Sequence, residues 1–175
     1  MKGDTKGGTN SGADGSAGAS PAVNPVERAV TLTRTVLIEA PLEKVFAYYA
    51  DPENNPEIWP SLLAVGDLER SPEGYPQRWT WVYQMAGLRF RGSAEMTEYL
   101  PNRRTVARSR GGIESVNRIR YERVGGGTRV TDEMSYRVPI PVLGRVAERA
   151  LLLMNERELE TIHRNLKAKL EGYSA

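Results

Sequence analysis

Between Leu62 and Val138 the chain reads as six successive strands, two of which alternate side chains from one face to the other with a clear period of two. The cleanest is Leu88–Glu98, where Leu88, Phe90, Gly92, Ala94 and Met96 fall on one side and Arg89, Arg91, Ser93, Glu95 and Thr97 on the other. Only an extended strand puts alternate side chains on opposite faces, and strict alternation marks an antiparallel sheet with one face covered and one in water. Gln77–Met85 places Trp79, Trp81, Tyr83 and Met85 on one face in the same way, and Leu62–Arg70, Arg104–Arg110, Glu114–Val124 and Thr128–Val138 read as further strands. Short turn formers separate them: Ser71–Gly74, Ala86-Gly87, Pro101-Asn102, Gly111-Gly112 and Gly125–Gly127. Strand, tight turn, strand, repeated in sequence, is a meander.

The flanks are different. Val30–Ala40 is a further half-buried strand, with Val30, Leu32, Val36 and Ile38 on one side. Pro41 suits a first helical turn, where a missing N–H costs nothing, and Leu42, Val45, Phe46 and Tyr49 follow at helical spacing. Asp51 can cap a second short helix from Pro52 to about Trp59. After Pro139–Pro141, the stretch from Val142 to about Tyr173 has no proline and carries an apolar stripe through Val142, Leu143, Val146, Ala150, Leu153, Met154, Leu159, Ile162, Leu166 and Leu170. That predicts one long helix lying along the sheet. The order strand, two short helices, six strands, long helix gives an α+β fold.

Residues 1–28 are rich in Gly, Ser and Ala without an aromatic residue, a composition too poor in apolar surface to offset the entropy of ordering it. They are expected to form a flexible tail ahead of one domain over 29–173. No apolar stretch follows Lys2 or Lys6, so a secretory signal is not expected, and a cytoplasmic location is. There is no cysteine and one histidine, His163, which rules out disulfides, thiolate chemistry and a His-rich metal site. No cofactor site is expected. With 24 basic and 22 acidic residues the charge is nearly balanced, and nothing demands a nucleic-acid partner.

Several short pieces, in order, resemble the START-like (SRPBCC) superfamily and its polyketide cyclase/dehydrase-like branch. They are Val36-Leu37-Ile38-Glu39-Ala40-Pro41, then Val45-Phe46, Ala50-Asp51-Pro52-Glu53-Asn54 and Trp59. Arg78-Trp79, Glu95-Met96-Thr97-Glu98, Pro101-Asn102-Arg103-Arg104 and Gly127-Thr128-Arg129-Val130 continue the likeness, which spans about Ala29 to Gly172. The resemblance implies a helix-grip fold: a curved seven-stranded antiparallel sheet around the long C-terminal helix, with a tunnel between them. It implies a shared cavity rather than a shared catalytic set, and a fold of this kind hosts many functions.

The inward faces supply the candidate cavity wall: Trp79, Trp81, Tyr83, Phe90, Met96, Ile119, Tyr121, Met134 and Tyr136, faced from the helix by Leu153, Met154 and Arg157. The same residues could simply fill a core. Gly92 and Ala94, small and inward, argue for unfilled volume. Arg34, Asn117 and Asp132 are polar at inward positions, where a charge is costly unless paired. Asp132 is the single, weak candidate for an acid or base; an internal salt bridge is the plainer reading. His163 falls at the flank of the helical stripe and is expected at the surface. Trp59, between prolines, either gates the cavity mouth or anchors the second short helix. Arg103, Arg104, Arg108, Arg110, Arg118, Arg120 and Arg123 form either a basic face for a weak membrane-surface contact or a solvated face balanced by acids.

Three functions fit these features. The first is a carrier or sensor of a hydrophobic small molecule: a lipid, isoprenoid, quinone or polyketide. The second is a polyketide cyclase or aromatase working in the same cavity. The third is a ubiquinone-chaperone-like partner acting through its surface.

Overall fold

The computed structural model describes residues 29–85, 87–137 and 145–172, apart from the side chains of 29, 137 and 145–153. The expected tail over 1–28, the helix start at Val142 and its end at Tyr173 lie outside these residues. The chain runs β1 (Ala29–Ile38), α1 (Leu42–Tyr49), a 3-10 turn (Pro52–Asn54), α2 (Asn55–Ile58), β2 (Leu62–Arg70), β3 (Pro76–Met85), β4 (Leu88–Leu100), β5 (Arg104–Gly111), β6 (Glu114–Val124), β7 (Gly127–Arg137) and α3 (Arg145–Glu171). The second short helix of the sequence reading is therefore two pieces, the 3-10 turn and α2. Asn54 and Asn55, followed by Pro56, give this stretch little intrinsic hold on α geometry.

One seven-stranded antiparallel sheet has the order β1-β7-β6-β5-β4-β3-β2. Strands β2 to β7 form the meander, and β1 zips along β7 from Ala29 opposite Arg137 to Ile38 opposite Thr128. The two segments next to each other in sequence, β1 and β2, thus occupy opposite edges, and α1 and α2 carry the chain across the sheet. Register breaks bend it. The β2–β3 pairing slips between Gly66 and Glu69, beside Asp67 at φ 47°, and the β4–β5 pairing slips between Met96 and Glu98. Bulges of this kind add local twist and curl a strand away from flatness.

Helix α1 buries Leu42, Val45, Phe46 and Tyr49, the spacing that predicted it. Pro41 stands just before its first turn, and the Pro41 carbonyl accepts the Val45 N–H at 3.1 Å. Asp51 caps the 3-10 turn, its Oδ1 accepting the Glu53 N–H at 3.2 Å, while Arg70 donates to both of its carboxylate oxygens. Helix α3 buries Leu159, Ile162, Leu166 and Leu170 and is tied down at its far end. Lys44 Nζ donates to the Leu170 carbonyl at 2.9 Å, Lys167 Nζ to the Leu37 carbonyl at 2.9 Å, and Asn165 Nδ2 to the Ile58 carbonyl at 3.0 Å.

Two apolar clusters divide the interior. One joins Ile38, Val45, Phe46, Tyr121, Val130, Ile162 and Leu166, with Phe46 edge-on to Tyr99 and Tyr121 at ring-centroid distances of 5.2 and 4.9 Å. The other gathers Leu62, Trp79, Trp81 and Ala94 at the opposite end of the sheet. Arg104 and Arg118 pair with Glu98 and Glu133 of the sheet and Arg123 with Glu43 of α1, so part of the arginine-rich surface is balanced by acids.

Candidate functional site

A cavity of about 150 Å³ opens beside the second cluster. Its wall follows from strand periodicity. Trp79, Trp81, Tyr83 and Met85 are two residues apart on β3, share one face and all line the space. Met96 comes from β4, and Thr105, Ala107 and Ser109 from β5. Strand β6 adds Ser115, Asn117 and Ile119, and β7 adds Met134 and Tyr136. Tyr49, Pro52, Asn55 and Trp59 close it from the helical side, with Asn155 of α3. An apolar cavity of about this volume is large enough for a single aromatic ring and stays dry when it lacks polar partners.

The structure brings together most of the residues singled out from the sequence: Trp79, Trp81, Tyr83, Met96, Asn117, Ile119, Met134 and Tyr136 all face the cavity. Trp59 lines the cavity, half-buried and edge-on to Tyr83 at 6.0 Å. Phe90 and Ala94 belong to the packing behind that wall. Gly92 needs correcting. A Cβ there would lie 2.3 Å from Trp81 Cζ2 and 2.3 Å from the Arg110 carbonyl oxygen. The missing side chain makes room for the Trp81 indole to lie on the strand, not for a ligand. Met154 and Arg157 also fall elsewhere: both are exposed and line an outer cleft with Pro60, Leu63 and Thr161. The inward line of α3 runs through Asn155, Leu159 and Ile162, and a residue one step away on a helix is turned by about 100°. The Leu153 side chain lies outside the described residues. Met85 and Asn155 line both the cavity and the outer cleft, so they stand between the two.

Tyr121 and Asp132 sit one step deeper than the cavity. Asp132 is fully buried, and its expected arginine partner does not reach it. Arg34 lies directly across from it on β1, yet its guanidinium turns out to Glu160 at 2.8 Å. The partners are ones that sequence order hides. The Tyr49 hydroxyl donates to Asp132 Oδ2 at 2.5 Å, and His163 Nε2 stands 3.8 Å from the same oxygen. His163 is 6% exposed, which overturns its expected surface position. It follows Leu159 by four residues and precedes Leu166 by three, so it belongs inside the stripe rather than at its flank.

Burial holds the Tyr49 hydroxyl well above the usual tyrosine range, reinforced by the charge of Asp132 and the bond to it. Burial does the same to Tyr83, whose hydroxyl donates to Glu158, and to Tyr121 and Tyr136. These groups act as neutral hydrogen-bonding hydroxyls, not as bases. The Tyr136 hydroxyl is itself taken up, accepting Asn155 Nδ2 at 2.5 Å across the gap between β7 and α3. Several polar atoms of wall residues are buried without a protein partner, among them Trp81 Nε1, Asn55 Oδ1 and Asn117 Oδ1. Buried polar atoms are nearly always paired, and such exceptions ask for a water or a ligand. Among the described residues no cluster of three or more His, Cys, Asp or Glu could hold a metal ion.

Sequence reasoning missed Tyr49, Asn55, Thr105, Ala107, Ser109, Ser115 and Asn155. The β5 trio alternates with outward arginines, but small residues on a strand carry little apolar signal to mark an inward face.

Residues 29–171 match the profile of the polyketide cyclase/dehydrase and lipid transport family. The chain belongs to that family. The START-like architecture of this polyketide cyclase/dehydrase and lipid transport family member recurs in solved structures. A protein from Thermus thermophilus aligns with a TM-score of 0.71 at 19% identity, over 83% of this chain and 100% of the other. A START superfamily protein from Mycobacterium smegmatis gives 0.69 at 17% identity, over 82% and 99%. The Zhui aromatase/cyclase from a Streptomyces species gives 0.68 at 16% identity, over 82% and 94%. Identities this low establish a common fold only. Among curated proteins, none matches this sequence. No helix among the described residues is long and apolar enough to cross a membrane.

Proposed function

We propose that this family member binds a compact, ring-containing hydrophobic molecule in the cavity, as a carrier or sensor. One observation carries the reading: a space of about 150 Å³ walled by three indoles yet edged by unpartnered polar atoms. Small-ligand sites have this makeup, an apolar enclosure with a few polar groups that fix orientation. Of the classes the sequence suggested, quinone and polyketide rings match the cavity size better than an extended lipid chain. The ligand's path runs through the outer cleft and past Met85 and Asn155.

The test uses 1,4-benzoquinone at neutral pH, a single ring that quenches indole fluorescence and meets no cysteine in this chain. Saturable quenching is expected, and Ala107→Trp, which plugs the cavity, should abolish it while unfolding stays cooperative. Quenching that never saturates, or that survives the plug unchanged, overturns the reading.

The family's cyclase chemistry is the second reading, favoured by the Tyr49–Asp132 hydrogen bond at the cavity floor. It predicts turnover of a polyketide-like substrate that Asp132→Asn abolishes in a folded protein.

A further inference from the structure

Tyr49 belongs both to the solid apolar cluster and to the cavity wall, and among the buried residues shared by the two it alone carries a hydroxyl. Its hydroxyl proton is committed to Asp132 Oδ2 at 2.5 Å. A phenolic oxygen whose proton already points at a carboxylate has only lone pairs left to offer, and the carboxylate makes it a better acceptor. Whatever meets that oxygen from the cavity side must bring its own hydrogen-bond donor.

Resting on the cavity reading above, we propose that Tyr49 is the polar anchor of the cavity, held by Asp132 as an acceptor. The preferred ligand would then be a ring carrying a neutral hydroxyl, a phenol or enol, rather than one bearing only carbonyl or ether oxygens. Asp132 is a positioning residue in this arrangement. It touches no ligand and lies below the wall, fully buried.

Among the described residues, the groups around Asp132 leave Tyr49 as its sole hydrogen-bonded side chain. From α3, His163 Nε2 stands 3.8 Å from Oδ2, beyond hydrogen-bond length. From β1, Arg34 is engaged by Glu160. From β6, Ile119 is the register partner, and Tyr121 approaches the Tyr49 ring edge-on at 6.5 Å. Asp132 Oδ1 has no protein partner. With a single strong donor on the carboxylate, the Tyr49 proton has no competing direction. Burial and the Asp132 charge also keep that hydroxyl protonated.

Three one-ring probes separate this proposal from the cavity reading itself: toluene, p-cresol and 4-methylanisole. Affinities are read from amide shift changes in NMR titrations of the full chain. Toluene binding reports the cavity alone, and its absence together with that of the other two would fail the cavity reading, not just the anchor. p-Cresol is expected to bind about tenfold tighter than 4-methylanisole, although transfer from water alone favours the ether. In Tyr49→Phe that preference should fall to unity or reverse. In Asp132→Val no acceptor remains for the Tyr49 proton, which is free to turn inward, and selectivity should move toward the ether, a change that a merely structural aspartate would not produce. If toluene binds but the wild-type protein does not prefer p-cresol, the anchor proposal is wrong whatever the variants do. A preference that persists within about twofold in both folded variants overturns it too.

Discussion

The two ends of the interior are built from the same sheet and packed in opposite ways. At one end, aliphatic and aromatic side chains from α1, α3, β1 and β7 close with nothing between them; Ile38, Val45, Val130 and Leu166 are each fully buried. At the other, β3 contributes broad aromatic residues while β5 answers with Thr105, Ala107 and Ser109, too short to meet them. The contrast lies in side-chain volume rather than backbone. The meander continues through both ends, yet small residues face large ones only where the cavity lies. Asp132, Tyr49 and His163 mark the boundary, a polar layer between solid and hollow.

The largest test of that contrast is deletion at the solid end. Leu166→Ala should cost about 2–5 kcal/mol in chemical denaturation, because the surroundings cannot collapse into the gap. A cost under about 1 kcal/mol would mean that end is loosely packed as well. Next is the aromatic wall itself. Gly92→Ala pushes a methyl into Trp81 and the β5 backbone, and should cost about 1–3 kcal/mol while shifting tryptophan emission. An unchanged spectrum at unchanged stability would show that the indole does not rest on that glycine.

Matched enlargements then separate the two ends directly. Ala40→Leu, placed in the filled cluster, should destabilise by about 1–3 kcal/mol. Ala107→Leu, placed at the cavity, should be neutral or stabilising by about 0.5–2 kcal/mol while blocking benzoquinone. Equal costs for the pair would erase the distinction.

The smallest effect is a titration. Tyr49, Tyr83 and Tyr121 have hydroxyls raised above the unfolded tyrosine value of about 10, so the folded state holds protons that the unfolded chain has begun to lose. Their contribution to stability is complete below about pH 10 and declines as the pH climbs beyond it. Tyrosinate absorbance should therefore appear together with loss of the folded circular dichroism signal. Tyr83 ionising while the fold is still native would mark the hollow end as open to water.

Much of this was legible in the residues. The alternations of β3 and β4, the turns between strands and the stripe of α3 read directly to the elements observed, and the Trp79, Trp81, Tyr83 face read to a cavity wall. Gly92 was misread because a glycine on an inward face looks the same whether it frames a void or a neighbour's ring. Met154 and Arg157 were misplaced, since the stripe of a long helix is broad enough to admit either phase.

The sequence by itself determined which side of each strand turns inward and the order of the elements, because period and turn chemistry are local. Depth was decided by the tertiary structure. Whether an inward side chain meets a void, a ring or a carboxylate depends on where α1 and α3 cross the sheet. Tyr49 and Asp132, 83 residues apart, are joined only by that crossing.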